Sequence, residues 1–512
     1  MYIGDYLGRR AIYSPDKLAI IDAGKTPELR LTYANMNGRA NRLANWLREA
    51  AGIAYGDRVA ILARDGVEHL DTFFACAKLG AIHTALNWRL HWRETAVILA
   101  NTTPKVLIFS ADFAEAVAEL QQAPEAASVT HYLHLDGGSV GESLLFDGVM
   151  SEAADTAVST PTVTEHTTAA LIFTGGTTGL PKAAQVTHKM IAWNTLNTII
   201  HDLHHDDTYL NVFPLFHTGG LFVYTLPNVV LGGTTILLRQ FDPAQVLDLI
   251  AREHVTVFAG VPTMYQLLAQ APNWTEADLS SLRFCTSGGA PLPVPLVQQY
   301  TAEKGIRFKQ GFGMTEFGPG IFALAAEDAI AKAGSIGRPN FFVDARVVDD
   351  ANQPLGPDEV GELVLQGPSY CAGYFNNEEA TRTAVDDDGW FHTGDLARHD
   401  ADWYFFIVDR KKDMFISGGE NVYPAEIEKA LYEHTAVHMC AVVGIPDPKW
   451  GEVGVACVVL KPGAATTPDE LLQHMAGRLA RFKVPKRVVI MKALPISGAG
   501  KILKRELQEQ IQ

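Results

Sequence analysis

Residues 171–188 read LIFTGGTTGLPKAAQVTH, an apolar run that breaks into glycine and threonine and then meets a lysine. Leu171, Ile172 and Phe173 have the composition of a buried strand end. In Thr174, Gly175, Gly176, Thr177, Thr178 and Gly179 the bare backbone can approach a ligand and present N–H groups, and the hydroxyls add donors. Lys182 supplies a compact positive charge, so the stretch suits phosphate. A Walker loop needs Gly-Lys-Ser/Thr in succession; here Leu180 and Pro181 separate Gly179 from Lys182 and Ala183 follows, so that reading fails. Taken alone, a Gly/Thr surface turn that binds nothing fits the same letters.

On both sides of this loop the chain alternates between helical and strand patterns. Residues 31–51 place Met36, Ala40, Leu43 and Leu47 at helical spacing, residues 58–63 read as a strand, 68–79 as a helix and 106–110 as a strand. That rhythm predicts an α/β fold, a large N-terminal domain of covered β-sheets with helices. After the loop the same rhythm is expected to resume, with strands at 209–213, 255–261 and 282–286 that each end beside glycine or proline. In open α/β sheets the ligand lies at such carboxyl ends. The last 100 or so residues, from about 413, carry their own strands at 440–443 and 453–460 and a Trp450 that reads as buried, enough for a small α+β domain.

Four further segments carry chemistry. His217 in FPLFHTGG follows an apolar strand and precedes glycines that open a helix; a lone histidine there is most often a hydrogen-bonded core group. QGFGMTEFGP, residues 310–319, sets Phe312, Thr315 and Glu316 close together: a ring to stack on a base, a hydroxyl for a phosphate or carboxylate oxygen, and a carboxylate for Mg²⁺. An ordinary turn with a solvated glutamate is the bland reading. Asp395 in GWFHTGDLA follows glycine, which suits ribose hydroxyls or a simple Asp turn. Between residues 481 and 505 there are eight Lys and Arg residues, Lys483 and Lys501 among them, and no acid, a local anion site or a solvated basic tail. His201, His204, His205, Asp206 and Asp207 imitate a metal cluster, but they sit at a helix end with no second ligand group nearby in sequence and read as a solvated surface turn.

With these motifs in view, TGGTTGLPK resembles the signature loop of the AMP-forming adenylating enzymes, the superfamily of acyl-CoA synthetases, luciferases and adenylation domains. The histidine segment, the Thr-Glu motif, the Thr-Gly-Asp motif, VDRKKDMFISGGENVYP and LPISGAGKILKREL follow in family order over nearly the whole chain. Gly175 stands where the family usually has serine, Ala183 where it has glycine and Phe312 where tyrosine is more frequent. The resemblance implies that a carboxylic acid and MgATP give acyl-AMP with release of pyrophosphate, and that the acyl group then passes to coenzyme A. It further implies a large domain at 1–411, a small mobile lid at 412–512, and a hinge at Lys412.

By the same resemblance His217 gates the carboxylate pocket, and Gly288, Gly289 and Ala290 line the adenine and acyl pockets. Thr315 and Glu316 act in catalysis, Glu316 binds the metal, and Asp395 and Arg410 hold the ribose. Ser417, Gly418 and Gly419 meet the pantetheine arm, Lys483 joins the cofactor-binding groups, and Lys501 reaches the substrate carboxylate and α-phosphate. An amine as acceptor in place of coenzyme A, and a silent binding protein of the same fold, are the alternatives; Glu316 and Lys501 argue against silence. The substrate is expected to be a fatty or aromatic monocarboxylate, because the pocket candidates are small or apolar and no buried cation awaits a second charge.

A length of 512 residues with 47% hydrophobic residues calls for more than one core. The formal charge of −16 argues against nucleic acid as a partner. Five scattered cysteines without a CxxC pair suggest neither a disulfide framework nor zinc. With no long apolar run, neither a signal peptide nor an integral membrane segment is expected, and a cytoplasmic location follows; a homodimer stays open.

Overall fold

The structure is a computed structural model that describes residues 3–158, 160, 162–174, 181–290, 292–496 and 502–511. It divides into two compact units, Met1–Asp344 with Gln366–Phe391, and Ala345–Leu365 with His392–Gln512. The expected hinge residue Lys412 lies inside the second unit.

Among the described residues the first unit holds two sheets. One runs Leu144–Leu145, His131–His134, Val106–Phe109, Arg58–Leu62, Ile82–Ala85, Thr168–Thr174, Lys182–Thr187. Every neighbouring pair is parallel except the last. The other is a nine-stranded sheet with parallel pairing through Leu18–Asp22, Thr234–Leu237, Thr208–Asn211, Val257–Gly260, Phe284–Ser287 and Phe308–Met314, and antiparallel strands at both edges.

The helix Val67–Leu79 is buried along its whole length although it carries charged residues, and its Phe73 shares a core with Ile20 and Leu237 of one sheet and Ala170 and Ile172 of the other. Its charges are tolerated because each is paired: Glu68 with Lys25 at 2.5 Å, Asp71 with Arg39 at 2.6 Å and Lys78 with Asp5 at 2.6 Å. The α/β rhythm does not resume directly after the glycine loop. Lys182–Thr187 first runs back antiparallel to Thr168–Thr174, and only then does the helix His188–Ile199 follow. Of KAAQVT only Val186 and Thr187 are β-branched, so the strand is held by its ladder to Thr168–Thr174 more than by composition.

The second unit contains a sheet ordered Asp344–Val348, Gly361–Gln366, Phe391–His399, Phe405–Arg410 and a second sheet built on the long strands Val437–Asp447 and Gly451–Leu460. Helices Pro424–Tyr432 and Pro468–Ala476 cover one core of that second sheet through Ile427, Leu431, Leu471 and Met475, and Lys504–Ile511 supplies Leu507 to another. The expected α+β character holds. Trp450 is a correction: it is 44% exposed, because it lies in the turn between the two long strands and not within a packed face of the sheet.

Candidate active site

In the first unit the two strands flanking the glycine loop set Thr174 opposite Lys182. Gly175, Gly176, Thr177, Thr178 and Gly179 lie outside the described residues, as does Lys501. Thr315 and Glu316 occupy the turn of the hairpin Phe308–Met314/Gly318–Leu324. Gly313 is required there, since a Cβ would stand 2.2 Å from the Pro319 carbonyl oxygen.

A strap at residues 371–375 joins these two places. The Cys371 N–H donates to the Glu316 carbonyl at 2.8 Å, Ala372 N–H to Gln185 O at 3.0 Å, Gln185 N–H to Gly373 O at 2.9 Å and Phe375 N–H to Ala183 O at 2.8 Å. The strap presents Tyr374, whose hydroxyl donates to Glu316 Oε1 at 2.8 Å and whose ring centroid is 5.0 Å from Lys182 Nζ. Burial, then the nearby Glu316 carboxylate, push the Tyr374 phenol up, which keeps its proton on through the neutral range. The oxygen donors of Glu316 fit a hard cation such as Mg²⁺, and Lys182 fits a phosphate. Tyr374 escaped the sequence reading because its partners Glu316 and Lys182 are remote in the chain and nothing in Gly373–Phe375 records them.

His217 caps the helix Thr218–Phe222, its Nδ1 accepting the Gly219 N–H at 3.1 Å, and it is exposed. The segment before it is anchored by Leu215 N–H donating to Asp65 Oδ1 at 2.7 Å; burial pushes the Asp65 carboxyl up to about 7. Asn194, also missed in sequence, joins this helix to the hairpin, donating to Phe222 O at 2.7 Å and accepting from Gly320 N–H at 3.0 Å. A buried asparagine carries no periodicity that would reveal this. Gly288 and Gly289 follow the strand Phe284–Ser287, Ala290 is exposed, and Thr286 shares a hydroxyl contact of 2.7 Å with Tyr224. Phe312 is half-buried, edge-on to Phe322 at 5.8 Å.

The His/Asp cluster differs from the expected solvated turn. His204 and His205 are exposed, but Asp207 is 2% exposed and accepts from Arg283 at 2.8 Å, from Thr256 at 2.6 Å and from the His204 N–H at 2.6 Å. It organises the end of the helix, as a buried carboxylate must be fully bonded.

In the second unit Asp395 and Arg410 stand opposite each other on adjacent strands, with Arg410 Nε 2.7 Å from Asp395 Oδ1. Glu362 supports both neighbours: Oε1 accepts the Gly394 N–H at 3.1 Å and Oε2 pairs with Lys411 at 3.0 Å. Lys412 is exposed in the following turn. Ser417 is buried, whereas Gly418 and Gly419 form an exposed turn in which Gly418, at φ +62°, would bring a Cβ 3.0 Å from the Trp450 ring. Lys483 is held by both oxygens of Glu426, at 2.8 and 2.7 Å, and Lys504 by Glu428 at 2.8 Å, so part of the basic run is neutralised within the protein.

The sequence pattern described as "AMP-binding enzyme" matches residues 8–375, and "AMP-binding enzyme C-terminal domain" matches 426–501. A feruloyl-CoA synthase from Amycolatopsis sp is 43% identical over 99% of both chains. An indoleacetate–CoA ligase from Aromatoleum aromaticum is 37% identical over 100% of this chain and 98% of the relative. The crystal structure of ATP-bound MatB from Rhodopseudomonas palustris superposes with a TM-score of 0.89 at 32% identity, covering 99% of this chain and 98% of that one. Two matched segments, whole-length relatives and a shared architecture all agree: the chain belongs to the AMP-binding enzyme family, as one of its ATP-dependent carboxylate–CoA ligases.

Proposed function

We propose that this ligase activates an aromatic monocarboxylic acid, with the residues of the two units in the following roles. A carboxylate is a poor electrophile and oxide a poor leaving group. Attack of the substrate carboxylate oxygen on the α-phosphorus breaks the bond to pyrophosphate and gives an acyl-adenylate. A thiolate then attacks the acyl carbon and AMP leaves.

Lys182, with the threonine hydroxyls of the glycine loop, holds the departing pyrophosphate. Glu316 would hold Mg²⁺, which supplies neutralisation of phosphate charge when bound. Thr315 serves the phosphate or carboxylate oxygens, Asp395 and Arg410 the ribose, and Lys501 the carboxylate and α-phosphate. The division at 411/412, with Lys412 as pivot, belongs to the same reading, as does the pantetheine role of Gly418 and Gly419. The single observation that carries the phosphate assignment is the meeting of Lys182 and Glu316 at Tyr374.

The aromatic choice is supported by similarity to a feruloyl-CoA synthase and an indoleacetate–CoA ligase, both named for aryl acids. A cytoplasmic site of action is supported by five free, buried cysteines, which suit a reducing compartment. Pyrophosphate release measured over a panel of arylpropenoic, arylacetic and saturated long-chain acids, with and without coenzyme A, tests the reading. We expect kcat/KM for the best aryl acid to exceed that for any long-chain acid by about 10-fold or more, the scale of a well-filled pocket. A long-chain acid as the best substrate overturns the aromatic choice, and turnover to ADP overturns the adenylation roles.

A further inference from the structure

Lys182 begins a strand and Glu316 sits in a hairpin turn, positions from which long side chains can swing. Tyr374 meets both. Its hydroxyl bonds one carboxylate oxygen of Glu316 at 2.8 Å and so orients the other, and its ring face lies 5.0 Å from the Lys182 ammonium, within cation–π range. The tyrosine itself has little freedom. Its backbone N–H donates to Thr381 Oγ1 at 2.8 Å, and Gly373 and Phe375 on either side are bonded to Gln185 and Ala183 of the strand that Lys182 opens. A positively and a negatively charged group, brought by separate elements, are thus gauged against one rigid aromatic side chain.

We propose that Tyr374 is a positioning residue of the phosphate site, in which the hydroxyl sets the geometry of Glu316 toward a divalent cation and the ring sets the geometry of Lys182 toward phosphate. The proposal rests on the assignment of Glu316 to the metal and Lys182 to phosphate given above. The two parts of one side chain predict two separable signatures, which a merely structural tyrosine would not give.

The test is calorimetric binding of the α,β-methylene analogue of ATP, in the presence and absence of Mg²⁺, to the full-length chain and three variants whose folding is checked by thermal melting. In Tyr374→Phe the ring stays and the hydroxyl goes. The gain in affinity that Mg²⁺ confers is expected to fall about 10-fold, the worth of a hydrogen bond to a charged group, while metal-free affinity is unchanged. In Tyr374→Leu metal-free affinity also falls, by roughly 3-fold or more, as the cation–π contact is lost. Glu316→Gln separates the proposal from its foundation. If Glu316→Gln retains the full gain from Mg²⁺, the metal assignment of Glu316 fails. If Glu316→Gln loses the gain while a folded Tyr374→Phe keeps it, or if Tyr374→Phe lowers both affinities equally, the positioning role of Tyr374 is overturned.

Discussion

His83 lies in the strand Ile82–Ala85 with no exposed surface, and neither ring nitrogen has a hydrogen-bond partner among the described residues. Burial holds its pKa down to about 3, and that of neighbouring His69 down to about 4. In the unfolded chain the same rings titrate near 6.5, so their neutral burial contributes stability that is full above that pH and is lost as the pH falls toward the folded values. His83→Leu removes one such ring at similar volume. The stability of the variant relative to the parent should therefore rise by about 2 kcal/mol between pH 6.5 and about pH 4.5, read from denaturant melts at both; a pH-independent difference contradicts the assignment. The same scale shows what a sequence can display. Lys182, Glu316 and Asp395 stand in patterns of glycine and threonine that announce their chemistry. Tyr374, Asn194 and Glu362 act through partners far away in the chain, at Glu316, Gly320 and Lys411, and no local spacing records such contacts.

At the scale of elements, strongly patterned segments were legible: the helix read at 68–79 is Val67–Leu79, and the strand read at 106–110 is Val106–Phe109. The antiparallel return of Lys182–Thr187 was not, because a short strand of mixed composition can pair on either side of its neighbour and only the rest of the sheet decides. The hairpin that carries Thr315 and Glu316 is fixed by close backbone approach. Gly313→Ala would push a methyl into Pro319 O, C and Cα, none of which can rotate away. The expected result is a loss of about 1–3 kcal/mol of stability, the cost of overpacking, with a larger than 10-fold fall in pyrophosphate release as the turn shifts. Thermal melting and pyrophosphate assays on the purified variant check both, and an active, equally stable Gly313→Ala would show that the hairpin can open without harm.

For the molecule as a whole, the resemblance of the motifs made the two-part architecture legible, whereas the interleaving of the chain was not. The first unit is completed only by Gln366–Phe391, after the chain has already contributed Ala345–Leu365 to the second. Nothing in composition marks these crossings, since they follow strand pairing and not a linker. The strap at 371–375 shows what the late return accomplishes. Lys182–Thr187 is the last strand of its sheet, and the strap occupies its outer hydrogen-bonding groups through Ala183 and Gln185. A strand in that position, left bare, is a template for another chain. A fragment ending at Asp344 keeps every strand of both sheets up to that point but loses this cover, so it should self-associate through the uncovered edge, seen as a rise in light scattering, while the full chain stays dispersed. Co-expression of a peptide spanning 366–391 should suppress the effect. On that outcome the segment that carries Tyr374 would also guard the young protein against aggregation, a guard that the ribosome delivers late.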